Sequence, residues 1–261
     1  MTLNPIVQEA VSLHFRTPQF RKLHLWYIAI LAVVTVTLWP SRGFMEYFRL
    51  RSVPAAFEAI AVLQLLGLTG ISVFVGLDRL AGIEILRYSE WLEHTRVSIG
   101  RLATGKLVSA LVHTAFLVIV GSPFLFICAG PAGIPVRAIL STQWIIFLVA
   151  LFSRIVGMLI SVIGESRDVV RIIGSWIYLA LLYLGTIQLF QPLNPIIAVV
   201  RQQNETSPLV STVGPVPLAQ HPALPSSIYL VSGLVLVTAG FVLALHRHRS
   251  RARDVRRAAH D

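Results

Sequence analysis

Glu58 and Arg154 are the two formally charged residues that fall inside long apolar runs of this sequence, Val53 to Leu77 and Ala138 to Ile163. Charge in hydrocarbon is costly, so such side chains face protein or water and either pair or contact a polar solute. Gln64 and Gln143 add neutral polar groups to the same two runs. Glu58, Gln64 and Arg154 are therefore candidates for lining a solute path, Gln64 being weaker than the two charged residues, as is Gln143. Each also has a plainer use. Glu58 is close enough to the end of its run to reach the membrane interface, and Arg154, which lies deeper, suits a structural ion pair.

Other chemistry is excluded by what the motifs lack. Gly100-Arg101-Leu102-Ala103-Thr104-Gly105-Lys106 fits the spacing of a phosphate-binding loop. Leu107 follows where a Ser or Thr would ligate Mg²⁺, and no strand precedes it. The sequence has no Gly-x-Ser-x-Gly and no His-Glu-x-x-His, so the common hydrolase centres are missing. The eight histidines show no metal-ligand spacing on one helix, and His113 stands alone in its run. One cysteine, Cys128, permits neither an intrachain disulfide nor a cysteine metal site. Its apolar surroundings make it a small buried hydrophobe. The chain carries no cofactor site of its own on this reading, and no metal site.

The elements that must hold these residues are membrane spans. The chain has 261 residues, of which 55% are hydrophobic and only 13% charged, with a mean hydropathy of +0.74. A soluble domain carries about 25% charged residues. The apolar residues form six blocks of roughly the ~20 residues that cross a hydrocarbon core. They run Leu23 to Trp39, Val53 to Leu77, Leu107 to Ala129, Ala138 to Ile163, Ile172 to Phe190 and Ile228 to Leu245. Trp26, Tyr27 and Trp39 suit the interfaces of the first. No cleavable leader is visible ahead of it, so the first block is expected to remain as an anchor. The fold class expected is an all-α integral membrane protein, organised as one transmembrane domain over residues 1–261.

Charge sets the orientation. Sixteen Lys and Arg residues lie in the amino-terminal segment, between blocks two and three, between four and five, and in the tail; five lie in the alternate segments. The positive-inside rule puts the sixteen in the cytoplasm, with both termini. Residues 1–22 then form an amphipathic interfacial helix opened by Asn4-Pro5, with Ile6, Val7, Ala10 and Leu13 at helical spacing. Residues 23–77 hold spans one and two, 78–106 a charged cytoplasmic segment, and 107–190 spans three to five. Residues 191–227 form an outer segment holding seven of the fourteen prolines, which forbids regular helix through most of it. Within it, Leu193 to Val200 is apolar enough to dip into the interface. Residues 228–245 are the sixth span and 246–261 a basic tail. That tail has no aromatic residues, so it suits anionic lipid rather than nucleic acid.

The 78–106 segment is the most informative. It reads Glu84-Ile85-Leu86-Arg87-Tyr88-Ser89-Glu90-Trp91-Leu92-Glu93-His94-Thr95-Arg96-Val97-Ser98, and Gly105-Lys106-Leu107 follows after six residues. This order resembles the permease subunits of type-2 ABC exporters. They carry a Glu- and Leu-rich helix after the second span, a Thr-Pro-Leu-Ser-like turn, and a Gly-Lys-Leu opening the third span. Thr95, Val97, Ser98, Gly105, Lys106 and Leu107 match at that spacing. Arg96 stands where Pro is usual, and Tyr88-Ser89-Glu90-Trp91 departs from the Gly-Thr-Leu-Glu core. The Asn4-Pro5 helix is similar to that family's connecting helix. Ser161 to Arg171 resembles its short loop between spans four and five, and Leu193-Asn194-Pro195 its outer re-entrant region.

The resemblance implies a subunit of the cytoplasmic (inner) membrane, pairing with a second, identical or related permease around a path for export. Separate ABC ATPase chains would bind ATP and Mg²⁺. They would dock on a coupling helix through Glu84, Arg87, Glu90, Glu93, Thr95, Arg96, Ser98 and Lys106. Independently of the resemblance, Arg87, Glu90, Glu93 and Arg96 give this segment the charge that steers and registers a soluble partner. The alternatives are a stand-alone secondary carrier and an intramembrane enzyme. A carrier often shows internal repeats, and none is visible here. An enzyme needs a polar catalytic cluster at membrane depth.

Overall fold

The computed structural model describes residue 16 and residues 18–38, 52–77, 99–163, 168–185, 194–201 and 231–246. Among these every regular element is helical. We number them α1 (Pro18–Leu38), α2 (Ser52–Leu77), α3 (Ile99–Ala132), α4 (Val136–Ile163), α5 (Asp168–Ala180), α6 (Pro195–Arg201) and α7 (Val231–His246). The first four are long and apolar enough to cross a membrane. This is the architecture of a multi-pass membrane protein, in which a helix satisfies its own backbone groups where no water can.

The boundaries follow local chemistry. Pro54 falls in the first turn of α2, where its missing N–H costs nothing. α3 runs for 34 residues and passes through Pro123. The Ser122 hydroxyl donates to the Val118 carbonyl at 2.9 Å beside that break in the ladder. The helix ends at Gly133, whose φ of 65° is the left-handed conformation that glycine reaches without strain. There Gly133 N–H donates to Gly130 O at 3.1 Å and Ile134 N–H to Ala129 O at 3.2 Å, a Schellman closure. Pro135 follows, and its carbonyl accepts the first turn bond of α4, from Ala138 N–H at 2.9 Å.

Burial sorts the helices into a centre and a rim. In α1 only His24, Tyr27, Leu31 and Thr35 are buried, at spacings of three and four, which is one stripe along the helix. Leu25, Trp26, Ile30, Val33 and Val36 lie exposed around the rest of it, a surface suited to lipid. Of the apolar stretch, 17% is buried in α1 against 61% in α2 and 72% in α4. α2 and α4 are therefore the centre. Phe57, Ile60, Leu65, Leu68, Leu117 and Ile146 fill the space between them and α3.

In lipid, apolar burial gives little drive for helices to associate, and close packing at small residues does more. Gly76 and Gly157 supply it here. A Cβ on Gly76 would stand 2.6 Å from the Arg154 carbonyl oxygen, and one on Gly157 would collide with the Val73 carbonyl. Backbone thus meets backbone where α2 crosses α4. Gln64 meets Gln143 further along the same pair. Both contacts advance together along the two chains, so α2 and α4 run parallel, as alternate crossings of a membrane must.

The observed elements refine several of the expected boundaries. The third helix begins at Ile99, eight residues before Leu107, so the last part of the charged 78–106 segment is helical. At about 1.5 Å per residue, α3 overreaches the roughly 30 Å hydrocarbon core, and Arg101 and Lys106 occupy its first two turns. Arg171, expected in a turn, is buried within α5. The expected fifth span Ile172 to Phe190 changes at Leu181 into a π turn that runs to Gly185. Within the outer segment, Pro195 opens the short helix α6, on the stretch expected to dip into the interface. The amino-terminal helix, the Glu84–Ser98 segment and the basic tail lie outside the described residues apart from Arg16, Pro18–Lys22 and His246.

The Gly76–Gly157 crossing yields a test. Gly157→Ala should destabilise the purified chain by ~1–3 kcal/mol, the cost of overpacking. Gly70→Ala on α2, where an added Cβ meets nothing within 4 Å, should leave stability unchanged or raise it by up to ~1 kcal/mol. Thermal unfolding in detergent micelles measures both.

Candidate functional site

Gly121 on α3 is the floor of a buried polar layer. A Cβ there would stand 2.5 Å from both the Tyr27 hydroxyl and the Gln64 amide nitrogen. Only glycine lets α1 and α2 bring these two groups onto α3. From Gln64 the layer continues to α4, where its Nε2 donates to Gln143 Oε1 at 3.3 Å. Tyr27, Gln64 and Gln143 are all buried. Four helices therefore each contribute one position to a single level of the bundle.

The layer has capacity to spare. Gln64 Oε1 and Gln143 Nε2 are buried with no hydrogen-bond partner among the described residues, as is Thr142 Oγ1 beside them. A primary amide offers two donors and an accepting oxygen, and one long bond uses little of that. A buried polar atom without a partner costs about 1–3 kcal/mol. What the layer presents is neutral: amide donors, an amide acceptor and a phenol. It can accept water or the hydroxyl, amide or carbonyl of a solute. It holds no nucleophile beside a base.

The path candidates are partly brought together. The two weaker candidates, Gln64 and Gln143, are joined at the centre of the layer. Glu58 and Arg154 are buried at 3% exposure each but stand apart. Arg154 is on the α4 turn that meets Gly76, near Val73, while Glu58 lies fifteen residues from Val73 on α2. At about 1.5 Å per residue that is roughly 22 Å. They do not pair with each other. Of the coupling candidates, Lys106 is half-buried on α3. Glu84, Arg87, Glu90, Glu93, Thr95, Arg96 and Ser98 lie outside the described residues.

Gly100 to Lys106 is ordinary helix. The Thr104 hydroxyl donates to Gly100 O at 2.8 Å, with Arg101 O at 3.1 Å, inside the ladder of α3. Cys128 is buried, as its surroundings suggest. Among the described residues no three His, Cys, Asp or Glu side chains gather as a metal site.

Two features escaped the sequence. Asn194 holds the end of the π turn and the start of α6 together. Its Oδ1 accepts from Ile196 N–H at 2.9 Å and Ile197 N–H at 3.2 Å, and its Nδ2 donates to the Tyr183 carbonyl at 3.0 Å. An Asn cap followed by Pro at the first helical position is the expected opening of a helix, and that signal was present in Asn194-Pro195. The fold turns α6 back onto α2 and α4. The second feature is a histidine pair: His113, which stands alone in its own run, meets His24 of α1 at 2.9 Å between Nε2 atoms. Neither residue points to the other by spacing, because 89 residues separate them.

No protein-family model matches this chain, and no curated protein matches it.

The polar layer makes a double-substitution prediction. Gln64→Leu leaves Gln143 buried without its partner, and Gln143→Leu does the same to Gln64. Each should destabilise by ~1–3 kcal/mol. The pair Gln64→Leu/Gln143→Leu should cost less than the two singles added together, because it removes both groups. Thermal unfolding of the four variants in one lipid or detergent reads the coupling directly.

Proposed function

We propose that this chain is the membrane-spanning subunit of an ATP-driven exporter, coupled to separate ATPase chains and working as a dimer. Six spans cross the cytoplasmic membrane, with α5 and its continuation as the fifth and α7 as the core of the sixth. Both termini are cytoplasmic. The Glu84–Ser98 segment is the coupling helix on which the ATPases dock. The path for the solute runs along the Tyr27, Gln64 and Gln143 layer, whose neutral hydrogen-bonding groups suit an uncharged or weakly polar solute. ATP and Mg²⁺ belong to the partner.

One observation supports this most. α6 is a short helix capped by Asn194 that returns to pack on the two central helices. It falls on Leu193-Asn194-Pro195, where the resemblance to type-2 ABC permeases calls for an outer re-entrant region. It comes in the expected order after the Glu84–Leu107 match and five apolar blocks.

A second reading, the stand-alone carrier, draws on the same region. The π turn at Leu181–Gly185 followed by α6 makes a broken helix, and secondary carriers bind solutes at such breaks. Dependence of transport on an ATPase partner separates the two.

Reversing Glu90 and Glu93 together, Glu90→Lys/Glu93→Lys, should weaken capture of the ATPase or uncouple its hydrolysis from transport. A buried charge pair is worth ~2–5 kcal/mol when one side is lost. Membrane insertion should persist, since acidic residues contribute little to topology. The pure subunit should not hydrolyse ATP. Co-purification from the native host and ATPase activity of the reconstituted complex check this. Normal partner capture and parental coupling in the double variant would remove the coupling assignment, and transport without any ATPase would favour the carrier.

A further inference from the structure

We propose that the groove between α1 and α3, at the end of the bundle where both helices begin, binds an anionic phospholipid, with its phosphate on Arg21 and an acyl chain along the apolar walls. The inference goes beyond the exporter reading and does not depend on it. It requires only that the bundle sits in a membrane.

The contact between the two helices defines the groove. Phe20 and His24 of α1 meet His113 of α3, and His24 also meets Phe116. The contacts advance together, His24 on His113 and then Tyr27 on Gly121, so α1 and α3 run parallel. Arg21 and Leu25, one residue later than Phe20 and His24, lie about 100° around α1 from that contact. Val112, one residue before His113, lies about 100° the other way around α3. Val108 and Ile119 continue its stripe at spacings of four and seven. In parallel helices the flank after the contact on one and the flank before it on the other fall on the same side of the pair. Arg21 and Leu25 therefore share a side with Val112. The opposite side is closed, with Tyr27 against Gly67 of α2 and with Ala110, Thr114 and Leu117 of α3 buried.

The walls are open and apolar, and their length fits one leaflet. Leu25 on one wall and Val108, Val112 and Ile119 on the other are exposed. Ile28 and Phe116, both half-buried, flank the contact between them. Three residues separate Arg21 from His24, and six separate His113 from Ile119. At about 1.5 Å per residue, Ile119 stands roughly 14 Å deeper than Arg21. Half of a hydrocarbon core is ~15 Å. A lipid whose phosphate is held at Arg21 therefore ends its acyl chain beside Ile119.

The mouth of the groove is cationic. Arg21 and Lys22 are exposed on α1 immediately before its apolar run. Helical side chains lean toward the helix N-terminus, which for α1 is the headgroup end, so the Arg21 guanidinium is carried to phosphate level. Lys22, one step further around α1, adds charge at the same depth. Neither α1 nor α3 contains an Asp or Glu.

Charge complementarity selects the occupant. A zwitterionic headgroup brings an ammonium of its own, which the two helices offer no carboxylate to receive. An anionic headgroup such as that of phosphatidylglycerol brings only phosphate, and a guanidinium takes two phosphate oxygens in a forked hydrogen bond. One basic side chain near an anionic membrane surface gives about a fivefold preference. The apolar walls then need only a chain of the right length, which either lipid would supply; the phosphate on Arg21 sets the choice.

The test uses the full chain in phosphatidylcholine vesicles. A fluorophore is placed on Ile119→Cys in a Cys128→Ala background. It is quenched by a small equal fraction of phosphatidylglycerol or phosphatidylcholine carrying a nitroxide near the end of one acyl chain. Leu184→Cys, exposed in the π turn after α5, is the reference position. We expect phosphatidylglycerol to quench at Ile119 at least about threefold more strongly than phosphatidylcholine, and the two lipids to quench alike at Leu184. Arg21→Gln/Lys22→Gln should bring the two lipids level at Ile119, and Arg21→Lys should keep part of the preference. Equal quenching at Ile119 in the parent overturns the site. So does an equal preference at Leu184, because the charge of the whole chain would then be gathering the lipid. So does a preference that survives in the double Gln variant. Should that variant fail to insert, competition in the parent decides. Relief of quenching at Ile119 by unlabelled phosphatidylglycerol but not by phosphatidylcholine supports the site, and equal relief by both overturns it.

Discussion

The close approach of α2 and α4 at Gly76 and Gly157 is the constraint on which the rest of the bundle depends. Two helices in lipid gain little from covering apolar side chains that lipid would cover equally well. They gain from contact between backbones, and a single methyl at Gly157 would push the Val73 carbonyl away. Once that distance is fixed, the level at which Gln64 faces Gln143 is fixed too. The polar layer is then a consequence of the crossing: two amides that could each pair elsewhere are held across one interface.

The remaining helices attach to this spine in different ways. α3 packs along both members and leaves room at Gly121 for Tyr27 to reach across to Gln64. α1 touches through one stripe, its buried His24, Tyr27, Leu31 and Thr35. α5 is tied to the spine by the 2.8 Å contact of Tyr178 with Ser153 and by Trp176 against Phe74. α7 is held chiefly by Phe241, which is fully buried against Ala110, Leu151 and Ile155. A tight centre with loosely tied outer helices lets the outer ones shift without breaking the core.

Much of the fold was legible in the sequence because membrane spans are written in length and apolarity. The starts of α2 and α4 fall within two residues of expectation, since charge and proline end the apolar runs there. α3 escaped by eight residues because Ile99 to Lys106 is polar, and a helix that projects beyond the bilayer leaves no hydropathy signal. The π turn escaped because Leu181-Leu182-Tyr183-Leu184-Gly185 reads as uninterrupted span; the Tyr183 carbonyl within it accepts from Asn194, which lies beyond the turn. The site was legible only in part. Gln64 and Gln143 stood out as polar residues in apolar runs. Tyr27 looked like an interfacial anchor, and Gly121 carried no sign of what its missing side chain admits. His24 and His113 could not be joined without the helix packing. The coupling residues from Glu84 to Ser98 were read from resemblance, and the described helices do not include them.

The central claim is that α2 and α4 form the protein-enclosed centre of a membrane bundle with α1 on its lipid face. Single nitroxides placed in turn along the three helices, in a Cys128→Ala background reconstituted in lipid, test it through relaxation by oxygen, which concentrates in the hydrocarbon. Labels at Leu25, Ile30, Val33 and Val36 of α1 should be strongly relaxed, and labels at Ile60, Leu68, Ile146 and Val149 weakly. Oxygen relaxation at the α2 and α4 positions as strong as on α1 would contradict the arrangement.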